Sequence, residues 1–292
     1  VVDGFLVIDK PVGISSHDVV NRVRRILGTK KVGHTGTLDP FATGVLPIAV
    51  GEGTKAIQFL DEGEKAYEAV IRLGLVTDTL DITGSVMQEQ NPGGVGQEQL
   101  LYAMAALTGK ISQVPPMYSA IKQGGQPLYK LARKGVEVER ASRQVTIHSF
   151  ELLGFEMPLA TVRVRCSRGT YVRTLADDLG RLLGCGACLA QLRRTMSGPF
   201  RLDDAMTLDQ LACYAEAGVA QQHGLNLPTA VSHLKQIQLT EAELQKLKNG
   251  IPPRERLLEM EPGLFSLMYD QQVIAVAEQT TEGAISLKRV FN

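Results

Sequence analysis

Apolar residues recur along the chain with two periods, and the switches between them mark out its elements. Residues 4–9, GFLVID, are apolar almost throughout and read as a buried strand that Lys10-Pro11 ends. In SSHDVVNRVRRILG, Val19, Val23, Ile26 and Leu27 fall on one stripe at helical spacing behind a Ser cap. Gly28 closes that helix, and Arg22 and Arg25 take its other face. A second apolar run, VLPIAV, follows. KAYEAVIRL (65–73) then alternates with period two, placing Tyr67, Ala69, Ile71 and Leu73 on one face and Glu68 and Arg72 on the other. Residues 88–96 are polar and Gly-rich, predicting a loop, and a helix is expected over 97–107. Residues 161–166 alternate again, with Val162, Val164 and Cys166 opposite Arg163 and Arg165. SRGT then turns into a helix over 171–183 that is expected to bury Leu175, Leu179 and Leu182 and to stop at Gly184. Tyr171 and Arg173 stand in its first turn, where a side chain reaches past the end of a sheet. Near Pro228 the pattern changes. TEAELQKLKNG carries a capping box, Thr240 with Glu243, and a Gly250 stop; LFSLMYDQQVIAVA and ISLKRVF read as a hairpin and one further strand. No internal repeat is found.

At 292 residues, one large domain with a small one, or two comparable ones, is the expectation. With 44% hydrophobic and 21% charged residues the composition is that of a soluble globular protein, and no segment is apolar long enough to span a bilayer. The first residues carry Asp3 and no basic leader, so they read as a first strand; the lack of an initial Met suggests missing or processed residues. Cys166, Cys185, Cys188 and Cys213 are too few for a disulfide framework and read as reduced thiols of a cytoplasmic protein. Cys185 and Cys188 form one CxxC without a second pair or a nearby histidine, so small buried thiols are expected there and a metal site is not. The net charge of zero argues mildly against a nucleic-acid partner, but the distribution points the other way. RVRRILGTKK holds five cations in ten residues, and eight arginines between 163 and 201 face only Asp177 and Asp178. PPMYSAIKQGGQPLYKLARKG (115–135), with paired prolines, paired glycines and Lys122, Lys130, Arg133 and Lys134, reads either as a mobile basic arm or as an ordinary surface excursion.

Walker, dinucleotide-binding, nucleophile-elbow and HExxH motifs are all missing. The candidate chemistry lies in HTGTLDPFATGVLP (34–47), which holds one aspartate, Asp39, between Leu38 and Pro40 in a glycine-studded loop. Ordinary turn chemistry accounts for Asp and Gly there but not for the rest of the stretch. A glycosidase-like reading needs a second carboxylate, and sequence does not show whether Asp81 or Asp178 approaches Asp39. What remains is an aspartate, tyrosines on a strand and at a helix start, arginines in a basic region, and His34 five residues before Asp39. Such parts suit a nucleobase and its phosphates.

HTGTLDPFATGVLP resembles the catalytic loop of the bacterial tRNA pseudouridine-55 synthase (TruB) family. KPVGISSHDVV, GLVTDTLDITG, VPPMYSAIKQGGQPLYKLARKG, CSRGTYVRTLADDLG and AQLRRT resemble further blocks of that family, in its order, over residues 4–234. The resemblance implies an α+β fold: a central mixed, mostly antiparallel β-sheet flanked by helices and loops in a catalytic domain over 1–232, then a small β-rich PUA-like RNA-binding domain over 233–292. It implies isomerisation of uridine-55 in the T-arm of tRNA by base flipping, breakage of the glycosidic bond and rejoining through carbon. Neither a metal nor an organic cofactor takes part, no membrane is involved, and a monomer is expected. Asp39 matches the family's catalytic aspartate, acting as nucleophile or as base. Arg173 matches its ion-pair partner, and Tyr67 the tyrosine that stacks on the target base and handles its proton. His34 matches the residue that fills the gap left by the flipped base; Tyr171 and Leu192 match pocket positions. Lys10 and Lys55 fall in matching blocks, to meet phosphate or to support the loop. The basic arm, about 115–140, corresponds to a segment that closes on the RNA. Taken alone, Tyr67 and Leu192 read as core, Arg173 as a surface arginine and His34 as a loop residue without a task. A non-catalytic tRNA-binding or RNA-folding protein, and the guide-RNA-dependent branch of the superfamily, are the rival readings.

Overall fold

The computed structural model describes residues 2–61, 63–119 and 121–291. Its centre is a nine-stranded sheet. Seven strands run side by side in the order Gly4–Lys10, Thr43–Val50, Ala187–Ser197, Glu64–Leu73, Leu159–Ser167, Arg143–Glu156 and Gly109–Gln113; Val32–His34 pairs with Thr43–Val50 and Phe200–Arg201 with Ala187–Ser197. Every pairing in this sheet is antiparallel except one. Ala187–Ser197 runs parallel to Thr43–Val50 for two residues, Arg193 opposite Thr43 and Arg194 opposite Gly44. At this seam the backbones almost touch: a Cβ on Gly44, whose φ is +98°, would lie 2.2 Å from the Arg194 carbonyl oxygen. The sheet is therefore mixed and mostly antiparallel, as expected.

The period-two segments are strands whose apolar face is buried. Tyr67, Ala69, Ile71 and Leu73 pack with Val162, Val164 and Cys166 beneath helices Ser16–Leu27 and Val172–Leu182. Ser15 and Asp18 form a capping box at the start of Ser16–Leu27, and Gly28 ends it in the left-handed conformation. Two expectations are corrected. Leu182 is 57% exposed, and Leu183 next to it packs against the core in its place. The segment 88–96 is not all loop: its first two residues end an exposed strand, Val86–Glu89, held by backbone pairing with Leu75–Thr77.

Residues 235–290 form a second sheet, Lys235–Gln238, Gly263–Tyr269, Gln272–Gln279 and Ile285–Val290, with helices Glu241–Lys248 and Arg254–Leu258. Its own core is Ile237, Leu247, Leu257, Phe265 and Leu267. A further apolar cluster joins the two sheets: Met268, Val276 and Phe291 pack with Phe5, Val45 and Phe200 behind the large one.

Candidate active site

Asp39 sits in the loop 35–42 between two paired strands, and the backbone on both sides of it is tied down. Ser16, buried at the start of its helix, accepts from Leu38 N at 2.8 Å and donates to Leu38 O at 3.0 Å. Gly13 N donates to Pro40 O at 2.8 Å, Lys10 Nζ donates to the same oxygen at 3.2 Å, and Ala42 N donates to Asp39 O at 3.0 Å. Leu38 is buried beneath. The loop thus holds its carboxylate in place without relying on the carboxylate's own contacts, and leaves that side chain 35% exposed.

Arg173, in the first turn of Val172–Leu182, reaches this carboxylate: its Nε lies 3.0 Å from Asp39 Oδ2. The guanidinium is fully engaged elsewhere too. Nη1 donates to Thr79 O at 2.9 Å and lies 3.6 Å from Asp81 Oδ2, while Nη2 donates to Tyr118 O at 2.7 Å. Asp81 is itself buried and accepts from Thr83 N, Thr83 Oγ1 and Thr79 Oγ1. Arg173 therefore joins the Asp39 loop, the 77–83 turn and the root of the basic segment. Burial outweighs this guanidinium and holds the Asp39 carboxyl above its ordinary range. Of the two carboxylates left open from sequence, Asp81 is the one that shares Arg173. Its place in GLVTDTLDITG was the available signal.

Tyr67 lies on Glu64–Leu73 directly across from Arg194 of Ala187–Ser197. It is buried, and burial pushes its phenol up to about 12; Arg194 opposes that rise and the charge of Asp39 adds to it. Leu192 is buried in the same cluster as Tyr67 and Leu38. Tyr171 caps the helix that carries Arg173, its backbone clamped by Gln113, which accepts from Tyr171 N at 3.0 Å and donates to Tyr171 O at 3.3 Å. Burial raises its phenol, which also feels Arg173 and Asp39. His34 ends the strand Val32–His34; burial, helped by Arg194, lowers its pKa and favours the neutral imidazole, and its buried Nδ1 has no hydrogen-bond partner among the described residues. Asp39, Arg173, Tyr67 and Tyr171 are thus one electrostatic group, with Leu192 in the cluster that holds Tyr67 and His34 at the end of the strand that leads into the Asp39 loop.

The lysines divide. Lys10 is completely buried and donates to the carbonyls of Pro11, Ile14 and Pro40; desolvation lowers its pKa to about 8. Of the two alternatives, phosphate contact and loop support, its geometry fits loop support: a buried ammonium with three carbonyl acceptors is already satisfied. Lys55 lies on the short helix Gly53–Ala56 and pairs with Glu52 at 2.6 Å. Arg194 was not singled out from sequence although AQLRRT contains it. The basic segment folds as a small hairpin, Lys122–Gln123 with Gln126–Pro127, and a helix, Leu128–Ala132, with Leu128 buried. Cys185 and Cys188 are buried free thiols, and burial pushes Cys188 up to about 11.

Comparison with known proteins gives the following. A family model described as "TruB family pseudouridylate synthase (N terminal domain)" matches residues 24–172, and one described as "tRNA pseudouridylate synthase B C-terminal domain" matches residues 173–259. The tRNA pseudouridine synthase B of Geotalea uraniireducens is 49% identical over 304 residues, covering 100% of this chain and 98% of its own. That of Geobacter sulfurreducens is 47% identical with 100% of both covered. A solved structure titled "Crystal Structure of a Cbf5-Nop10-Gar1 Complex" matches with TM-score 0.74 and 26% identity, covering 99% of this chain and 84% of that one.

Proposed function

The chain belongs to the TruB family of pseudouridylate synthases, and from that premise we propose how its site isomerises a uridine of tRNA to pseudouridine. The enzyme is an isomerase: the uracil N1–C1′ bond breaks, the ring turns, and C5 joins C1′. The target is uridine-55 of the T-arm. A uridine stacked in a folded arm must first leave its stack, at a cost of a few kcal/mol. His34, neutral and at the rim of the loop, fills the gap.

Asp39 acts at the ribose, either as nucleophile at C1′ or as base on the sugar, and the detached uracil stays within the pocket until it is recaptured. Arg173 keeps that carboxylate ionised and aimed. Tyr67 stacks on the base, and Leu192 and Tyr171 close the pocket around it. The basic arm, about 115–140, closes over RNA phosphates, and the domain over 233–292 lengthens the RNA footprint. One chain carries the whole set, which supports a monomer; the cytoplasm as its compartment and chemistry without a metal are parts of the same proposal.

The observation that carries this reading is the 3.0 Å pair between Arg173 and Asp39, formed by residues from two distant family blocks on a loop fixed at Leu38 and Pro40. The test is incubation of purified protein with an unmodified tRNA transcript, mapping new pseudouridine. One modified position in the T-arm without added RNA or protein is expected, and Asp39→Asn binds tRNA but forms no product. Product from Asp39→Asn at the normal rate would falsify the assignment. A requirement for an added RNA or protein would favour the guide-dependent reading.

A further inference from the structure

Arg193 and Arg194 stand together at the parallel seam and turn to opposite sides of the sheet. Arg193 faces outward and grips Asp9 at 2.7 and 3.2 Å. Arg194 faces inward, 1% exposed, and heads the described side chains that are fully buried when these are ranked by size. Its Nε donates to Val45 O at 2.7 Å and Nη2 to Gly36 O at 3.1 Å, and the guanidinium faces the Tyr67 hydroxyl across the strand pair. No carboxylate pairs with it among the described residues. A sealed guanidinium without an anion is costly, and a Met or Leu would fill the same space without that penalty. A positive charge kept there needs a negative charge that arises nearby.

We propose that Arg194 is a positioning residue for the isomerisation, acting through Tyr67: it fixes the phenol beneath the flipped base and stabilises negative charge on the phenol oxygen during proton transfer. The proposal rests on the reading given under Proposed function. Once C5 has joined C1′, C5 still carries its hydrogen. The C5–H pair re-forms the C5=C6 double bond, and the C6=N1 pair withdraws onto N1. The C5 proton passes to Tyr67 Oη as the phenol's own proton moves through water to N1, so the tyrosine ends unchanged and N1 ends protonated. The oxygen bears negative charge midway. Three groups face it: Asp39 from its loop makes that charge harder to carry, Cys166 from Leu159–Ser167 is kept a neutral thiol by burial, and Arg194 from Ala187–Ser197 makes it easier. The same guanidinium, through Gly36 O, ties the loop that follows His34 into one frame with Tyr67.

The test uses the full chain, an unmodified tRNA transcript and saturating enzyme in single turnover, with hydrogen or deuterium at C5 of the target uridine. For Arg194→Gln, tRNA affinity is expected to stay within about twofold while the rate falls about a hundredfold, the range of lost acid–base assistance. A primary isotope effect should then appear that the wild type lacks. Arg194→Lys keeps the charge but not the fork, and should recover about a tenth of the wild-type rate or better, with a smaller isotope effect. Unchanged turnover, or slowing with no isotope effect in either variant, overturns the proposal. If Arg194→Gln does not fold, Arg194→Lys decides alone by its isotope effect. A wild type that forms no pseudouridine at all instead sinks the underlying reading, and this proposal with it.

Discussion

Asp39 is a carboxylate under two opposed influences, and its titration should reveal both. Burial holds its pKa above the ordinary 3.8 and Arg173 pulls it back. Since the ionised form is the reactive one, activity present at neutrality is lost as pH falls through a midpoint above 3.8. Removing the guanidinium in Arg173→Gln takes away the lowering influence, so the acid limb of kcat/KM should move further up in pH, beyond any fall in rate. A limb that stays put or moves down means that Arg173 does not govern this carboxylate. Asp39, Arg173 and His34 could be named because motif blocks carry them at fixed spacing, and the inward face of Tyr67 because KAYEAVIRL alternates. Arg194 was not, for a physical reason: its strand is irregular relative to Glu64–Leu73 between Leu189 and Gln191 and again between Arg194 and Met196. Simple alternation therefore loses track of which face each side chain takes. For Lys10 the sequence left phosphate contact and loop support open, because burial among three carbonyls is a tertiary fact.

At the scale of elements, the loop 35–42 depends on the first turn of Ser16–Leu27. Ser16→Ala leaves the buried N–H and C=O of Leu38 without their partner, and should destabilise the fold by about 1–3 kcal/mol in denaturant melts. Because the same bonds aim Asp39, kcat should fall by about tenfold or more with tRNA affinity unchanged. Equal losses in affinity and turnover would show that Ser16 serves stability only. The seam makes a second demand. Gly44→Ala puts a Cβ 2.2 Å from the Arg194 carbonyl at a φ of +98°, and no side chain can relax to relieve a backbone contact. Strain of about 1–3 kcal/mol from the backbone conformation alone, with the clash added, should lower Tm steeply and reduce soluble yield. A Gly44→Ala protein as stable as wild type would show that the seam can open. Elements with a start signal, a stop signal and a stripe, such as Ser16–Leu27, were readable; Leu182 was placed in the core because both i+3 and i+4 from Leu179 continue an apolar stripe, and the packing takes Leu183.

For the whole molecule, the apolar cluster behind the large sheet is the joint between it and the smaller one. Phe200 packs against Phe5, ring centroids 5.6 Å apart, in the cluster that also holds Met268 and Phe291. Phe200→Ala should cost about 3–5 kcal/mol, and should expose the chain near residues 230–235 to limited proteolysis before the catalytic sheet is cut. Simultaneous loss of both sheets in a single transition would instead show one cooperative unit. The segments of the small sheet were readable as a hairpin and a strand, but their docking was not, because Phe5 and Met268 look alike as core residues of separate units. The parallel seam also has a bearing on synthesis. Thr43 finds its neighbour Arg193 only 150 positions later. A nascent chain therefore leaves the tunnel with its aspartate loop already made but with neither the guanidinium at 173 nor the strand that backs the pocket. The pocket is complete only once residues 187–197 have joined the sheet, and pairings across so long a span form slowly.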